Sequence, residues 1–233
     1  MAHVWQSSPP SSPSQPSQRH TDTERILSFY DYTQGKDFLG RTLEDYLSWT
    51  NSQIEHNQSF FWKALFPIPE RSNSCPLAPV VTEEVFDAFR APTLQGDHLR
   101  YNLGRAVLRI VRYLGFKQHP ERAEIYFVMT NNAGFGAQGW LNRYDHNHRH
   151  ISRVLRSLRV LGDDGDAGAL FLAVLQVFIA LYPNETGHPA EGYIESEALV
   201  HWAHAARRPL HFGLNQPDHD AEDNCVQWIR CRV

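Results

Sequence analysis

Histidine and amide side chains gather at the start of one amphipathic segment of the sequence. His146, Asn147 and His150 come just before and within an apolar pattern that begins at Ile151. Imidazole and amide groups donate hydrogen bonds, and the free N–H groups at a helix N-terminus favour an anion, a carbonyl or an enolate oxygen. We therefore predict that these three residues are catalytic and stabilise a developing oxyanion without a metal or a cofactor.

Helical periodicity fixes where these groups should point. The apolar stripe consists of Ile151, Val154, Leu155, Leu158 and Leu161. One turn back, the same stripe reaches Asn147 and His150, so both are predicted to face the interior at the helix N-terminus. Arg149, Arg153 and Arg156 fall on another face, which is predicted to be mostly solvated.

A purely structural interpretation fits the same residues. Asp145 or Asn147 can cap the helix, and the histidines can bond to neighbouring loops. Because His146, His148 and His150 alternate along the chain, they would splay around a helix, and the run does not predict a three-histidine metal site. The structural and the catalytic interpretation both stay open on the sequence alone.

Aromatic residues that sit beside polar residues are candidates for the walls of a pocket. Trp62, Trp140 and Tyr144 are predicted to bind substrate, together with Arg153. Aromatic walls can hold an apolar substrate in one reactive conformation. The expected ligand is a small apolar organic molecule.

Two other patterns resemble ligand motifs. Gly134–Gly139 matches G-x-G-x-x-G, but the repeated strand-helix units of a dinucleotide-binding domain do not follow it, so a flexible glycine loop is favoured. Glu197, His201 and His204 share a helical face with spacing that could bind a cation. No fourth ligand accompanies them, and an exposed polar face is favoured. No metal is therefore predicted.

The rest of the sequence predicts an all-α, non-repetitive helical bundle with long loops. Ile125–Met129 is a short apolar run that can be a strand. The predicted helices are Thr23–Tyr30, one that Thr42 caps with Asp45 three residues on, Phe60–Phe66, Thr82–Phe89, Leu99–Leu114, Asn147–Leu161, Asp166–Tyr182 and Ser196–Ala206.

The composition of this 233-residue chain predicts its domain organisation and excludes some classes of partner. Residues 1–22 are predicted to be a disordered leader, residues 23–208 are predicted to form the helical domain, and residues 209–233 are predicted to be a polar tail. A net charge of -4 gives no general attraction to nucleic acid. The apolar run 167–182 is too short to span a bilayer and is predicted to be a buried core helix. The sparse cysteines favour a reducing compartment, cytoplasmic or nuclear, and no oligomeric state is predicted.

Several segments resemble the conserved region of the opioid growth factor receptor family. The segment His146–Leu158 is similar to the family's HN-x-x-R-I-T-R-I-L-x-S-L. The other similar segments, in the same order, are Trp49–Glu55, Phe61–Pro67 and Val81–Phe89. The resemblance covers about Phe29 to about Trp202. It implies a helical fold and a non-enzymatic, peptide-binding role in growth regulation.

The residues themselves favour a different function. A polar cluster at a helix N-terminus beside aromatic walls suits a cofactor-independent isomerase or cyclase. The predicted substrate is an apolar natural-product intermediate of secondary metabolism, and the reaction can include Diels–Alder-type ring closure. The peptide-binding regulatory protein is the alternative hypothesis.

Overall fold

The computed structural model describes residues 21–31, 35–118, 127–129, 139–181, 194 and 196–207. Within this part of the chain the fold is mostly helical, as predicted. The helices are α1 (Asp22–Tyr30), α2 (Leu43–Ser48), α3 (Asn51–His56), α4 (Gln58–Leu65), α5 (Glu83–Arg90), α6 (Leu94–Tyr113), α7 (Asn147–Val160), α8 (Asp164–Leu181) and α9 (Ser196–Arg207). A short 3₁₀ helix spans Gly139–Leu141.

Two short strands form an antiparallel pair beside α6 and α8. Strand β1 is Phe116–Gln118 and strand β2 is Phe127–Met129, with Phe116 opposite Met129. The apolar run ending at Met129 indicated β2. Strand β1 was not predicted, because only its pairing with β2 distinguishes it from the loop after α6.

Side-chain caps set the starts of the early helices. Thr42 accepts a hydrogen bond from the Asp45 backbone N–H, and the Asp45 carboxylate accepts one from the Thr42 backbone N–H at 2.8 Å. This reciprocal pair satisfies two donors that the first helical turn leaves free. The cap predicted at Thr42 is confirmed, and Thr82 likewise caps α5.

Helix α6 runs through the centre of the first half of the fold. Its predicted apolar face is confirmed, since Leu99, Leu103, Val107, Ile110 and Leu114 are all fully buried. Helices α1, α2, α5 and α8 pack against α6. The chain turns after the helix at Gly115, whose φ of 86° is the left-handed conformation that glycine adopts without strain.

Helix α7 is the second central element and carries the predicted site at its start. The five apolar residues of its predicted stripe are all fully buried. The helix packs against α8 and α9 on one side and α4 on the other. Its position between α4 and α9 decides which aromatic side chains its first turn can contact.

Two predictions about exposure are wrong. Arg153 and Arg156 are partly buried rather than solvated, because they lie over the end of α4 and the loop after it. Helix α8 is not buried all round, because Leu172 and Ile179 are 53% and 46% exposed. The α8 sequence is apolar on every face, but its neighbours cover only part of it.

Some sequence predictions fall outside the described residues. They concern most of the leader, the tail 209–233, Gly134 to Gln138 of the glycine motif, Cys225 and Cys231. In the described part of the chain, no helix is long and apolar enough to cross a membrane. Helix α1 begins at Asp22, with Thr21 as its N-cap.

Candidate functional site

A stacked pair of rings joins α4 to α7. The His150 imidazole lies over the Trp62 indole with ring centroids 4.7 Å apart and an interplanar angle of 10°. Trp62 is almost completely buried, and it packs edge-on against Phe61 and Tyr113. The indole is therefore held on several sides and presents a rigid surface to the imidazole.

The surroundings of His150 disfavour its charged form. Burial against the indole lowers the pKa of His150 to about 3, and the nearby His146, Arg153, Lys63 and Arg149 lower it further in the same direction. The imidazole is therefore neutral at pH 7 and carries one N–H donor. Neither ring nitrogen forms a hydrogen bond with a described residue.

The other two histidines of the run point in different directions. His146 is about half exposed and meets His150 edge-to-face, with ring centroids 6.0 Å apart. On the opposite side of α7, His148 Nε2 donates to the Trp140 carbonyl at 2.7 Å, and its ring lies 5.5 Å from that of Trp202. The predicted divergence of the three rings is confirmed.

Asn147 is buried at the first position of α7, with 2% of its surface exposed. Its backbone N–H donates to the Asp145 carboxylate at 2.8 Å. Asp145 therefore bonds to the first N–H of the helix, but the N-cap residue is His146, whose side chain makes no capping hydrogen bond. The Asn147 side chain points into the interior, where its Oδ1 accepts a hydrogen bond from the Tyr113 hydroxyl at 3.4 Å.

Tyr113 and Glu55 complete the cluster, and neither was predicted. The Tyr113 hydroxyl donates to the Glu55 carboxylate. Burial raises the pKa of Tyr113, and the hydrogen bond with Glu55 raises it further, so the phenol keeps its proton. Glu55 lies on α3 and Tyr113 at the end of α6, and no local pattern in the sequence links them. The family-like Trp49–Glu55 segment was the one available signal.

Arg153 bonds to the backbone at the end of α4. Its Nε donates to the Phe66 carbonyl at 2.8 Å and to the Trp62 carbonyl at 3.3 Å. Burial lowers the pKa of Arg153 to about 10, so the guanidinium remains charged at pH 7. Arg153 thus ties α7 to the end of α4 and places a positive charge beside the cluster.

Trp140 and Tyr144 lie away from this cluster. Trp140 is buried on the other side of α7, where its Nε1 donates to the Leu114 carbonyl at 2.9 Å and its ring packs near Phe116 and Trp202. Tyr144 is 73% exposed and has a φ of 63°. The structure does not bring these two predicted substrate-binding residues together with Trp62.

The indole nitrogen of Trp62 is a second N–H donor in the cluster. It is buried and makes no hydrogen bond with a described residue. A buried donor left unsatisfied costs about 1–3 kcal/mol. A ligand oxygen would recover this free energy if it reached the indole nitrogen.

A separate recess lies between α1, α2 and α6. Its volume is about 190 Å³, and it contains none of the predicted site residues. His98 and Asn102 form its buried polar part, with Asn102 Nδ2 donating to the Tyr30 carbonyl at 2.8 Å. Arg105 and Glu44 form an ion pair at its edge. Among the described residues, no group of three His, Cys, Asp or Glu side chains could hold a metal ion.

Comparisons with known proteins do not assign this chain to a family. No family model, no curated protein and no solved structure matches this chain. The resemblance to the opioid growth factor receptor region therefore stays an expectation from the sequence.

Proposed function

We propose that this chain is a cofactor-independent isomerase or cyclase, and that its substrate is an apolar natural-product intermediate with a carbonyl group. The observation that supports the proposal best is the neutral, half-buried His150 stacked on Trp62. A neutral imidazole carries one N–H, and when packing holds the ring in one orientation this N–H can be donated to a carbonyl oxygen. Such a preorganised donor stabilises negative charge that develops on the oxygen.

The charges around the imidazole favour the same chemistry. Arg153, Lys63 and Arg149 all lie close enough to lower the pKa of His150. A positive environment that disfavours imidazolium favours an enolate or a polarised carbonyl at the same position. In this proposal His146, the exposed neighbour, contacts the substrate, while Asn147 supplies the amide that faces Tyr113.

An isomerisation also needs a group that accepts a proton from the α-carbon of the ketone and returns it to the γ-carbon of the enolate. We assign that role to the Glu55 carboxylate, which the Tyr113 hydroxyl holds beside Asn147. A cyclisation such as a Diels–Alder-type closure needs no proton transfer, and polarisation of the carbonyl by His150 is then sufficient. Glu55→Gln should therefore abolish isomerisation and leave cyclisation largely unchanged.

A panel of cyclic β,γ-unsaturated ketones tests the proposal, because isomerisation to the conjugated enone changes the ultraviolet absorbance. We expect turnover by the wild-type chain and a loss of about 100-fold in His150→Ala, in line with the removal of one oxyanion donor. His201→Ala, which removes an exposed histidine on α9, is the matched control and should retain full activity. Equal rates in both variants would contradict the proposal. Tight binding of peptides without turnover of any ketone would favour the regulatory alternative.

A further inference from the structure

Positively charged side chains beside the candidate site have no acidic partner among the described residues. Arg149 is exposed on α7, and in this part of the chain it forms no hydrogen bond or ion pair. Lys63 on α4 donates to two neutral oxygens, the Ser59 carbonyl at 2.8 Å and the Ser74 hydroxyl at 2.9 Å. Arg149 and Lys63 therefore leave positive charge that no described carboxylate neutralises.

Helical spacing places Arg149 beside the proposed oxyanion donor. His146, Arg149, His150 and Arg153 fall at i, i+3, i+4 and i+7, so they share one face of α7. The His146 and His150 ring centroids are 6.0 Å apart. Arg149, Lys63 and Arg153 all lie close enough to His150 to affect its pKa. One ligand can therefore contact the imidazole of His150 and the guanidinium of Arg149 at the same time.

Two carboxylates near this face of α7 already have other partners. Asp145 accepts a hydrogen bond from the Asn147 backbone N–H at 2.8 Å. Glu70 lies 3.8 Å from Arg156. Because neither forms an ion pair with Arg149, this guanidinium remains available to an anion from solution.

We propose that the substrate carries a carboxylate in addition to its carbonyl group, and that Arg149 binds the carboxylate while His150 donates to the carbonyl oxygen. Because His150 is the carbonyl donor, this inference rests on the proposed function, and it narrows the substrate to an otherwise apolar keto acid. The planar guanidinium of arginine donates two parallel N–H groups to a carboxylate. Lys63 and Arg153, which bond only to neutral oxygens, add attraction for the anion.

Turnover of a keto acid and of its methyl ester tests the inference, because the two compounds differ in charge at one group. The acid is a cyclic β,γ-unsaturated ketone with a carboxylate substituent. We expect the wild-type chain to prefer the acid by about tenfold in kcat/KM, which corresponds to about 1.4 kcal/mol. The preference should appear in KM rather than kcat, because Arg149 binds the carboxylate equally in the ground state and the transition state.

Substitution of Arg149 tests the assigned residue. Arg149→Gln should remove the preference for the acid and leave turnover of the ester unchanged. Arg112→Gln is the matched control, since Arg112 is exposed on α6 and is not among the groups that affect His150. It should retain the preference. Equal kcat/KM for acid and ester in the wild-type chain, or an unchanged preference in Arg149→Gln, would overturn the inference.

Ionic strength provides a second measurement on the same pair of compounds. Salt screens the attraction between exposed charges. Because Arg149 is exposed, added sodium chloride should reduce the preference of the wild-type chain for the acid and should not change the ratio in Arg149→Gln. A preference that salt does not alter would mean that charge is not its cause, and would overturn the inference.

Binding of unreactive analogues separates this inference from the proposed function. A saturated cyclic keto acid and its methyl ester cannot isomerise, so calorimetry with the full chain measures their binding alone. Tighter binding of the acid by the wild-type chain, lost in Arg149→Gln, would support the carboxylate site even if no unsaturated ketone is turned over. Turnover of neutral ketones together with equal binding of acid and ester would support the proposed function and overturn the inference. Absence of binding of both analogues would also overturn the inference.

Discussion

The imidazole of His150 lies flat against the indole of Trp62, with 4.7 Å between the ring centroids and 10° between the ring planes. The two residues come from α7 and α4, and Arg153 fastens these helices to each other through the Phe66 and Trp62 carbonyls. The stack limits the rotation of the imidazole and removes water from one of its faces. A neutral donor in a fixed orientation follows from this packing.

Stability should depend on pH through His150. Its pKa is about 3 in the folded chain, below the ordinary value of 6.5. Between these values the unfolded chain binds a proton that the folded chain does not, so the free energy of unfolding falls as the pH decreases from 6.5 towards 3. His150→Phe keeps an aromatic ring but cannot titrate, and it should weaken this dependence. Urea denaturation at pH 7 and pH 4.5 measures the change, and an unaltered dependence would show that His150 titrates normally.

Asp166 should give a pH dependence of the opposite sign. Burial, followed by the adjacent Asp163 carboxylate, raises the pKa of Asp166 to about 8, from an ordinary value of 3.8. The folded chain therefore holds a proton that the unfolded chain releases, and stability decreases as the pH rises from 3.8 through 8. Asp166→Asn should stabilise the fold by roughly 1–3 kcal/mol at pH 9 and have little effect at pH 4. Thermal denaturation at pH 9 and pH 4 tests this, with Asp87→Asn at an exposed carboxylate on α5 as control.

Two substitutions at the start of α7 separate capping from chemistry. The Asp145 carboxylate accepts the Asn147 backbone N–H, so Asp145→Ala should cost about 1 kcal/mol of stability without loss of ketone turnover. Asn147→Ala keeps that backbone bond and removes the amide beside Tyr113, so turnover should decrease. Denaturation and rate measurements on both variants check the two roles. A catalytic loss in Asp145→Ala equal to that in Asn147→Ala would leave only a structural role for both.

Arg153 and Arg149 should differ in their effect on stability, although they lie one turn apart on α7. Arg153 donates to two carbonyls at the end of α4, whereas Arg149 is exposed. Arg153→Met should cost roughly 1.5–3 kcal/mol, the range for hydrogen bonds to charged groups. Arg149→Met should change stability by less than about 0.5 kcal/mol. Chemical denaturation of the two variants measures both effects, and equal costs would mean that the Arg153 contacts contribute little.

Local patterns predicted eight of the nine described helices and much of the first turn of α7, whereas α3 was not predicted. The reciprocal cap of Thr42 and Asp45 depends on residues three apart, and the buried face of α6 depends on helical periodicity. Each of these signals relates residues only a few positions apart in the chain, so the sequence alone could reveal it. The buried position of Asn147 followed from the same periodicity.

Contacts between distant segments could not be predicted in this way. The stack of Trp62 on His150 and the hydrogen bond from Tyr113 to Glu55 each join two helices that no sequence period relates. Arg153 was expected in water because its helix face is polar, but the end of α4 covers that face. Trp140 was assigned to the pocket because it belongs to a family-like segment and sits beside polar residues, and packing directs it to the other side of α7 instead.

In the proposed mechanism, His150 donates a hydrogen bond to an oxygen that becomes negatively charged. Binding of 2-naphthol tests it most directly, because the fluorescence of this ligand distinguishes the neutral from the ionised form. We expect the wild-type chain to bind 2-naphthol and lower its pKa, and we expect His150→Ala to remove this shift while His201→Ala retains it. Binding of 2-naphthol with the same pKa in wild type and His150→Ala would show that His150 is not the donor.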